Sequence, residues 1–190
     1  MLRSKSPISS RPKKLSADLK PILRRAVAED AGALALVAGA TLLDTFAGIL
    51  SGRDLIAHCA ANNTPAKFAA WADDPASVVV LAEAANGAAP VGYSVLTTPD
   101  LPVETDPDDI ELRRIYTLSR LHGSGLGPAL MARALDDARA MGKARVLLGV
   151  YGGNVRARAF YERQGFTVAG TRRFLVGETL HDDMIYARMV

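Results

Sequence analysis

Three glycines at alternate positions fall in the run His122-Gly123-Ser124-Gly125-Leu126-Gly127, between a strand pattern and an amphipathic helix pattern. Glycine carries no side chain to hold a ligand off the backbone, and the first N–H groups of the following helix point outward at its positive end. A pyrophosphate is the natural ligand of such a turn. Pro128 is tolerated in the first helical turn because its missing N–H would have no intrahelical partner. Two phosphate motifs fail on spacing. A Walker loop ends in Gly-Lys-Ser/Thr, whereas Gly127 is followed by Pro128-Ala129. A dinucleotide fingerprint needs Gly-x-Gly-x-x-Gly and an acid near the end of the next strand, where this chain has Leu148-Gly149-Val150. Taken alone, the turn also reads as a strand-to-helix connection with no ligand.

A second run, Asn154-Val155-Arg156-Ala157-Arg158-Ala159-Phe160-Tyr161-Glu162-Arg163-Gln164-Gly165-Phe166, places Asn154, Ala157 and Tyr161 on one helical face. Each residue has an ordinary structural role: Asn154 as N-cap, Phe160 and Tyr161 as core aromatics, Gly165 as C-cap. In order and joined by a helix-strand unit, the two runs together resemble the Gcn5-related N-acetyltransferase (GNAT) superfamily. The first matches its Gln/Arg-x-x-Gly-x-Gly/Ala turn at both glycines, with His122 where Gln or Arg is usual; a histidine can still donate to phosphate. The second matches Asn-x-x-Ala-x-x-Phe-Tyr-x-x-x-Gly-Phe at every named position. The resemblance runs from about residue 21 to 190 and is densest from Glu111. Within it, Glu111 to Ile115, Leu147 to Val150 and Asp183 to Met189 are most similar to the bacterial spermidine/spermine acetyltransferase branch.

The resemblance implies acetyl-CoA as co-substrate and an amine as acceptor. Ile115, Tyr116 and Thr117 would bind the pantetheine arm through their backbone, as an added strand does. His122, Gly123, Ser124, Gly125, Leu126 and Gly127 would hold the pyrophosphate, Asn154 would meet the pantetheine, and Arg156 and Arg158 would reach phosphates. A solvated arginine pair is the plainer reading of the last two. Tyr161 would approach the thioester sulfur as general acid, since the departing thiolate benefits from a proton. Glu111 is the candidate base for the amine, with a surface ion pair to Arg113 or Arg114 as its alternative. Asp44 and the acids near Asp182 are lesser candidates for attracting a cationic acceptor. A polyamine or other small amine is the expected acceptor, ahead of a protein N-terminus or lysine; a non-catalytic acyl-CoA-binding module is the competing reading.

These residues need a scaffold of strands and helices, and the pattern supplies one. Strands are expected at Pro21 to Val27, Ser77 to Ala84, Val91 to Leu96, Ile110 to Leu118, Arg145 to Val150, Phe166 to Gly170 and Met184 to Val190. Asn86-Gly87 is the turn of a hairpin. A helix opens at Glu29-Asp30 and runs through Ala40, and Asp44 to Trp71 is helical with breaks at Gly48, Gly52 and Pro65. Leu126, Leu130, Met131, Ala134, Leu135 and Ala138 recur at helical spacing up to Gly142, and Asn154 to Gln164 forms the last helix. The fold class is therefore α/β: one domain over residues 21–190, with a mixed, mostly antiparallel central sheet flanked by helices.

With 190 residues, 49% of them apolar, the chain can bury a single sizeable core. Its one cysteine, Cys59, and scattered histidines, His58, His122 and His181, give no disulfide and no metal-ligand spacing. A cytoplasmic, reducing location fits, with no membrane segment. Residues 1–20 carry six basic groups against one acid, so a formal charge of +3 leaves −2 on the body. That pattern reads as a disordered basic tail rather than a nucleic-acid site, since no aromatics interleave with the charges. The slightly acidic body suggests a cationic substrate, and a homodimer is compatible with the pattern.

Overall fold

The computed structural model describes residues 21–176 and 179–190; the basic tail expected at 1–20 lies outside the described residues. In chain order the elements are β1 (Ile22–Arg25), α1 (Ala31–Phe46), α2 (Gly52–Asn62), α3 (Pro65–Asp73), β2 (Val78–Glu83), β3 (Pro90–Thr97), β4 (Asp109–Thr117), α4 (Leu126–Ala140), β5 (Arg145–Tyr151), α5 (Val155–Arg163), β6 (Thr167–Val176) and β7 (Thr179–Met189).

Local chemistry sets the boundaries. Ser51 Oγ accepts the N–H of Asp54 at 3.1 Å, and Thr64 Oγ1 that of Lys67 at 3.2 Å, so α2 and α3 begin at side-chain caps. Pro65 opens α3, where its missing N–H costs nothing. The expected break at Gly48 is a left-handed turn, φ +85°. Helix α1 runs past the expected end at Ala40 to Phe46, because Thr41 and Leu42 continue the buried face of Leu34, Val37 and Ala38. The hydroxyl of Thr41 satisfies itself by donating back to Val37 O at 2.8 Å. In α4 the six apolar positions read from the sequence are the six buried ones. The closing hairpin, β6 with β7, is longer than expected, starting at Thr167 and returning from Thr179.

All seven strands form one sheet in the order β1-β2-β3-β4-β5-β7-β6. Every neighbouring pair is antiparallel except β4 with β5. Helices α1 and α3 cover one face over Val79, Leu81, Tyr93 and Val95. Leu130 and Met131 of α4, with Tyr161 of α5, pack on the other over Val78, Val80, Leu148 and Tyr186.

The parallel pair is the unusual one. Strands β4 and β5 meet only at Asp109–Arg145, Ile110–Val146 and Glu111–Leu147. On its other edge β4 carries a bulge: Leu96 lies opposite Leu112 and Val95 opposite Arg114, so Arg113 is the extra residue. A bulge bends its strand and increases the twist. Beyond Glu111, β4 follows β3 while β5 follows β7 to Tyr151, and the sheet opens between them.

The closed end of this opening is pinned by charge. Arg145 donates to both carboxylate oxygens of Asp109, at 2.7 and 2.6 Å, and Asp106 N–H adds a third bond at 2.7 Å. The Asp109 side chain is 2% exposed. The Arg145 hydrogen bonds hold its carboxyl below the usual range against the opposing effect of burial. Asp109→Asn is expected to cost about 3 kcal/mol at neutral pH, measured by urea unfolding, because Arg145 loses its close, buried counter-charge and keeps only the exposed Asp106 at 3.8 Å. A depressed folded pKa contributes stability that is complete above the ordinary carboxylate range and is lost as pH falls through the depressed value. The gap between wild type and variant therefore narrows in acid.

Candidate active site

The glycine turn lies at the open end of the split. Gly123 and Gly125 adopt φ +82° and +91°, a left-handed backbone that residues with a Cβ rarely take. Helix α4 begins directly after them, at Leu126. Backbone bonds engage His122, Ser124 and Ala129. The N–H groups of Gly123, Gly125 and Gly127 meet no backbone acceptor among the described residues. Donors left free at a helix N-terminus are the kind of groups an anion can be held by.

Two side chains complete it. His122 hydrogen-bonds Thr117 backbone and faces Arg156; partial burial, then Arg156, lower its pKa, with Asp44 opposing. Asp44, at the end of α1, accepts the N–H of Ser119 at 3.0 Å. It ties α1 to the segment entering the turn and keeps its charge at the border of the cleft.

From the turn, one cleft of about 1350 Å³ runs along the split. One wall is β4 from Arg113 to Thr117, whose edge toward β5 has no strand partner. The opposite wall holds Gly149, Val150, Asn154, Phe160 and Tyr161. Asn154 caps α5 through Oδ1, which accepts Ala157 N–H at 3.0 Å, leaving its amide nitrogen for the cleft. Gly149 is needed for space: a Cβ there would lie 2.8 Å from the Arg172 guanidinium, itself paired with buried Asp183.

Tyr161 is 9% exposed and packed by Phe160, Phe166 and Tyr186. Its hydroxyl has no hydrogen-bond partner among the described residues. Burial pushes it well above the ordinary tyrosine value, and the neighbouring Tyr116 adds to the shift. It is a protonated donor at any physiological pH, with its hydrogen bond unspent.

Glu111 also lines the cleft and is 4% exposed. Its Oε2 accepts from Asp100 N–H at 2.8 Å and from Arg113 at 3.1 Å. The expected pairing with an arginine is present, though buried rather than on the surface.

Of the residues singled out by sequence, Glu111, Ile115, Tyr116, Thr117, His122, Gly123, Gly125, Gly127, Asn154, Arg156 and Tyr161 border this one cleft. Three do not. The Leu126 side chain turns into the core and Ser124 stands outside the lining, so neither side chain faces the cleft. Arg158 is directed elsewhere, bonding Gly152 O at 3.2 Å and Tyr186 Oη at 3.3 Å. Residues two apart on a helix sit about 200° round from one another, so Arg156 and Arg158 cannot share a face. Among the described residues, the lining carries seven lysines and arginines against four carboxylates, although the body as a whole is net acidic. Lys67, Asn63 and Arg114 belong to this cleft and were not singled out. Consecutive residues in a regular strand face opposite ways, and the bulge at Arg113 breaks that alternation between the two arginines.

A split sheet with a glycine-rich anion turn at its open end defines an α/β domain built to hold a long anionic coenzyme. The acetyltransferase (GNAT) family model matches residues 54–166. An uncharacterised N-acetyltransferase of Mycobacterium tuberculosis is 33% identical over 159 residues, covering 84% of this chain and 97% of its own. Mycothiol acetyltransferase of Beutenbergia cavernae is 62% identical over 45 residues, 24% of this chain and 15% of that protein. Among solved structures, the PaiA N-acetyltransferase of Thermoplasma acidophilum, in complex with coenzyme A, is similar with a TM-score of 0.75. It is 20% identical and covers 90% of this chain and 100% of that one. The chain belongs to the acetyltransferase (GNAT) family and is an acetyl-CoA-dependent N-acetyltransferase. Among the described residues no helix is long and apolar enough to cross a membrane.

The electrostatics of the turn can be read directly by NMR titration. His122 is expected to titrate below the ordinary histidine range, to move up in Arg156→Ala and to move down in Asp44→Ala. A His122 that ignores both substitutions would contradict the placement of these three groups around the turn.

Proposed function

We propose that the chain moves the acetyl group of acetyl-CoA onto the amine of a small molecule by direct attack, with Tyr161 as the acid and Glu111 as the base. One observation carries this reading: a buried tyrosine hydroxyl with no partner borders the same cleft as the free N–H groups of the glycine turn. The unpaired edge of β4 lies between them and suits an extended amide-bearing arm. In this reading Gly123, Gly125 and Gly127, with His122 and Arg156, hold the pyrophosphate. The backbone of Ile115, Tyr116 and Thr117 and the amide of Asn154 hold the arm.

Acetyl-CoA, when bound, supplies a thioester whose acetyl carbon is taken by the amine nitrogen as its C–S bond breaks. Tyr161 presents its proton to the departing sulfur. A tyrosine raised by burial does not ionise readily against a thiol of pKa about 8.5, so it stabilises the thiolate by donating a hydrogen bond, and transfer completes as CoA leaves the apolar wall. Glu111 receives the proton that the amine must lose, directly or through water, and its bonds to Asp100 N–H and Arg113 keep it a carboxylate fixed in place.

Acetyl transfer followed by CoA release tests the assignment. Tyr161→Phe, which removes only the hydroxyl, is expected to lower kcat about 10²- to 10⁴-fold with the Kd for CoA unchanged. Unaltered kcat would remove Tyr161 from the chemistry. CoA binding with no turnover across a broad amine panel would favour a non-catalytic acyl-CoA-binding module. Turnover only on peptides would favour a protein N-terminus or lysine as acceptor.

A further inference from the structure

Across the cleft from Tyr161, the α1–α3 face presents a group of cations that the transfer chemistry does not use. Arg114 projects from β4 onto α3, its guanidinium carbon 5.1 Å from the Trp71 ring centre and 5.6 Å from that of Phe68. Its nitrogens donate to Asn63 Oδ1 at 2.6 Å and to Asn62 O at 3.0 Å. Lys67, one helical turn before Trp71, sits 5.6 Å from the same indole ring and donates to Asn62 Oδ1 at 2.9 Å. His58 of α2 feels both cations. Arg114, Lys67 and His58, with Asn62, Asn63 and Trp71, border the cleft.

Every partner of Arg114 and Lys67 among these contacts is neutral. Among the described residues neither makes an ion pair, whereas the neighbouring Arg113 of β4 holds Asp100 and Glu111. Partial burial, then Arg114 and Arg113, lower the pKa of Lys67, the mark of cations gathered with no counter-charge. Two positive groups fixed side by side, half removed from water and unpaired, are costly unless an anion arrives between them. Asn63 is itself buried and serves to aim Arg114. A guanidinium held by two carbonyl oxygens and the Tyr93 hydroxyl, and stacked on rings, is pre-organised to bind an oxyanion through the N–H groups left over.

The anion in question is not the pyrophosphate of the coenzyme. From Arg114 to Thr117 is three strand steps, about 10 Å, and the glycine turn lies beyond Thr117. Tyr116, which contributes to the environment of Tyr161, is only two positions from Arg114. The cation pair therefore flanks the reacting end of the cleft, where the acceptor enters.

We infer that the acceptor amine carries an oxyanion, a carboxylate or phosphoryl group a few bonds from its nitrogen, and that Arg114 and Lys67 bind it. This rests on the acetyl-transfer reading of the same cleft. A polyamine, the acceptor suggested by the sequence, would bring further ammonium groups to a wall that already carries unpaired cations. The acceptor is instead of the amino-acid or aminoalkyl-phosphate kind, and Trp71 packs against whatever joins its amine to its anion.

The test compares matched pairs: each proteinogenic amino acid against its methyl ester, and O-phosphoethanolamine against ethanolamine, with spermidine as the polycation. Two readouts are taken, CoA release with acetyl-CoA and the fluorescence of Trp71, the chain's one tryptophan, in CoA-loaded protein. At least one anionic compound is expected to exceed its neutral mate by tenfold or more in kcat/KM, and the pair of compounds that responds says whether carboxylate or phosphoryl is read. Arg114→Gln and Lys67→Gln should each pull that ratio toward one by raising KM, while CoA still binds. Lys67→Gln alters a half-exposed helix position and guards against misfolding of Arg114→Gln. Preference for spermidine or for the neutral mates, or a preference for the anion that survives both substitutions, would overturn the inference. Fluorescence responses to anionic compounds alone, lost in both variants but without turnover, would keep the anion site and remove the acetyl-transfer reading. Silence in both readouts would overturn the anion site.

Discussion

The parting of β4 from β5 is the constraint on which the rest depends. A parallel pair normally continues to exchange backbone bonds along its length; here it does so for three positions, Asp109 to Glu111 against Arg145 to Leu147, and then stops. The Asp109–Arg145 pair fixes where the strands must stay together, and the extra residue Arg113 forces where they must separate. Each strand keeps its outer partner, so the sheet is not weakened into two pieces. What the split leaves is an unpaired strand edge inside the molecule, which is stable only if something polar and extended can lie against it.

The chemistry of the cleft follows from that opening. Its α5 wall is apolar around Tyr161, which disfavours the phenolate and keeps the hydroxyl a donor. Its turn supplies N–H groups and a histidine whose charge is disfavoured by partial burial and then by Arg156, so an anion held there would be met mainly by backbone dipoles. Its β4 wall carries two consecutive arginines, whose alternation is broken by the same bulge that opens the split. One, Arg113, joins Glu111 and Asp100; the other, Arg114, is handed to α3. A single inserted residue thus shapes the coenzyme side and the acceptor side together.

Much of this was legible in the residues. The six buried positions of α4, the Asn154 cap, the Gly165 stop of α5 and the left-handed glycines of the turn were written as local patterns, and local patterns survive folding. The sheet class followed from the hairpin and the helix-strand alternation. The remainder depended on non-local facts. Nothing near Arg113 announces a bulge, because its cause is the register with β3. Lys67 and Asn63 look like ordinary helix-surface residues until α3 is laid against β4. Arg158 looked equivalent to Arg156 until helical geometry separated them by more than half a turn. Net charge is non-local in the same way: it sums over the whole surface and does not show that the cleft lining carries more cations than carboxylates.

Backbone hydrogen exchange with and without CoA tests the central claim most directly, since the claim concerns main-chain groups that no substitution removes cleanly. Saturating CoA is expected to slow exchange at Gly123, Gly125 and Gly127 and at the β5-facing amides of Arg113 to Thr117, with β1 and β2 unchanged. CoA binding that leaves both the turn and the β4 edge exchanging at their free rates would contradict the account, because the coenzyme would then lie somewhere other than in the split.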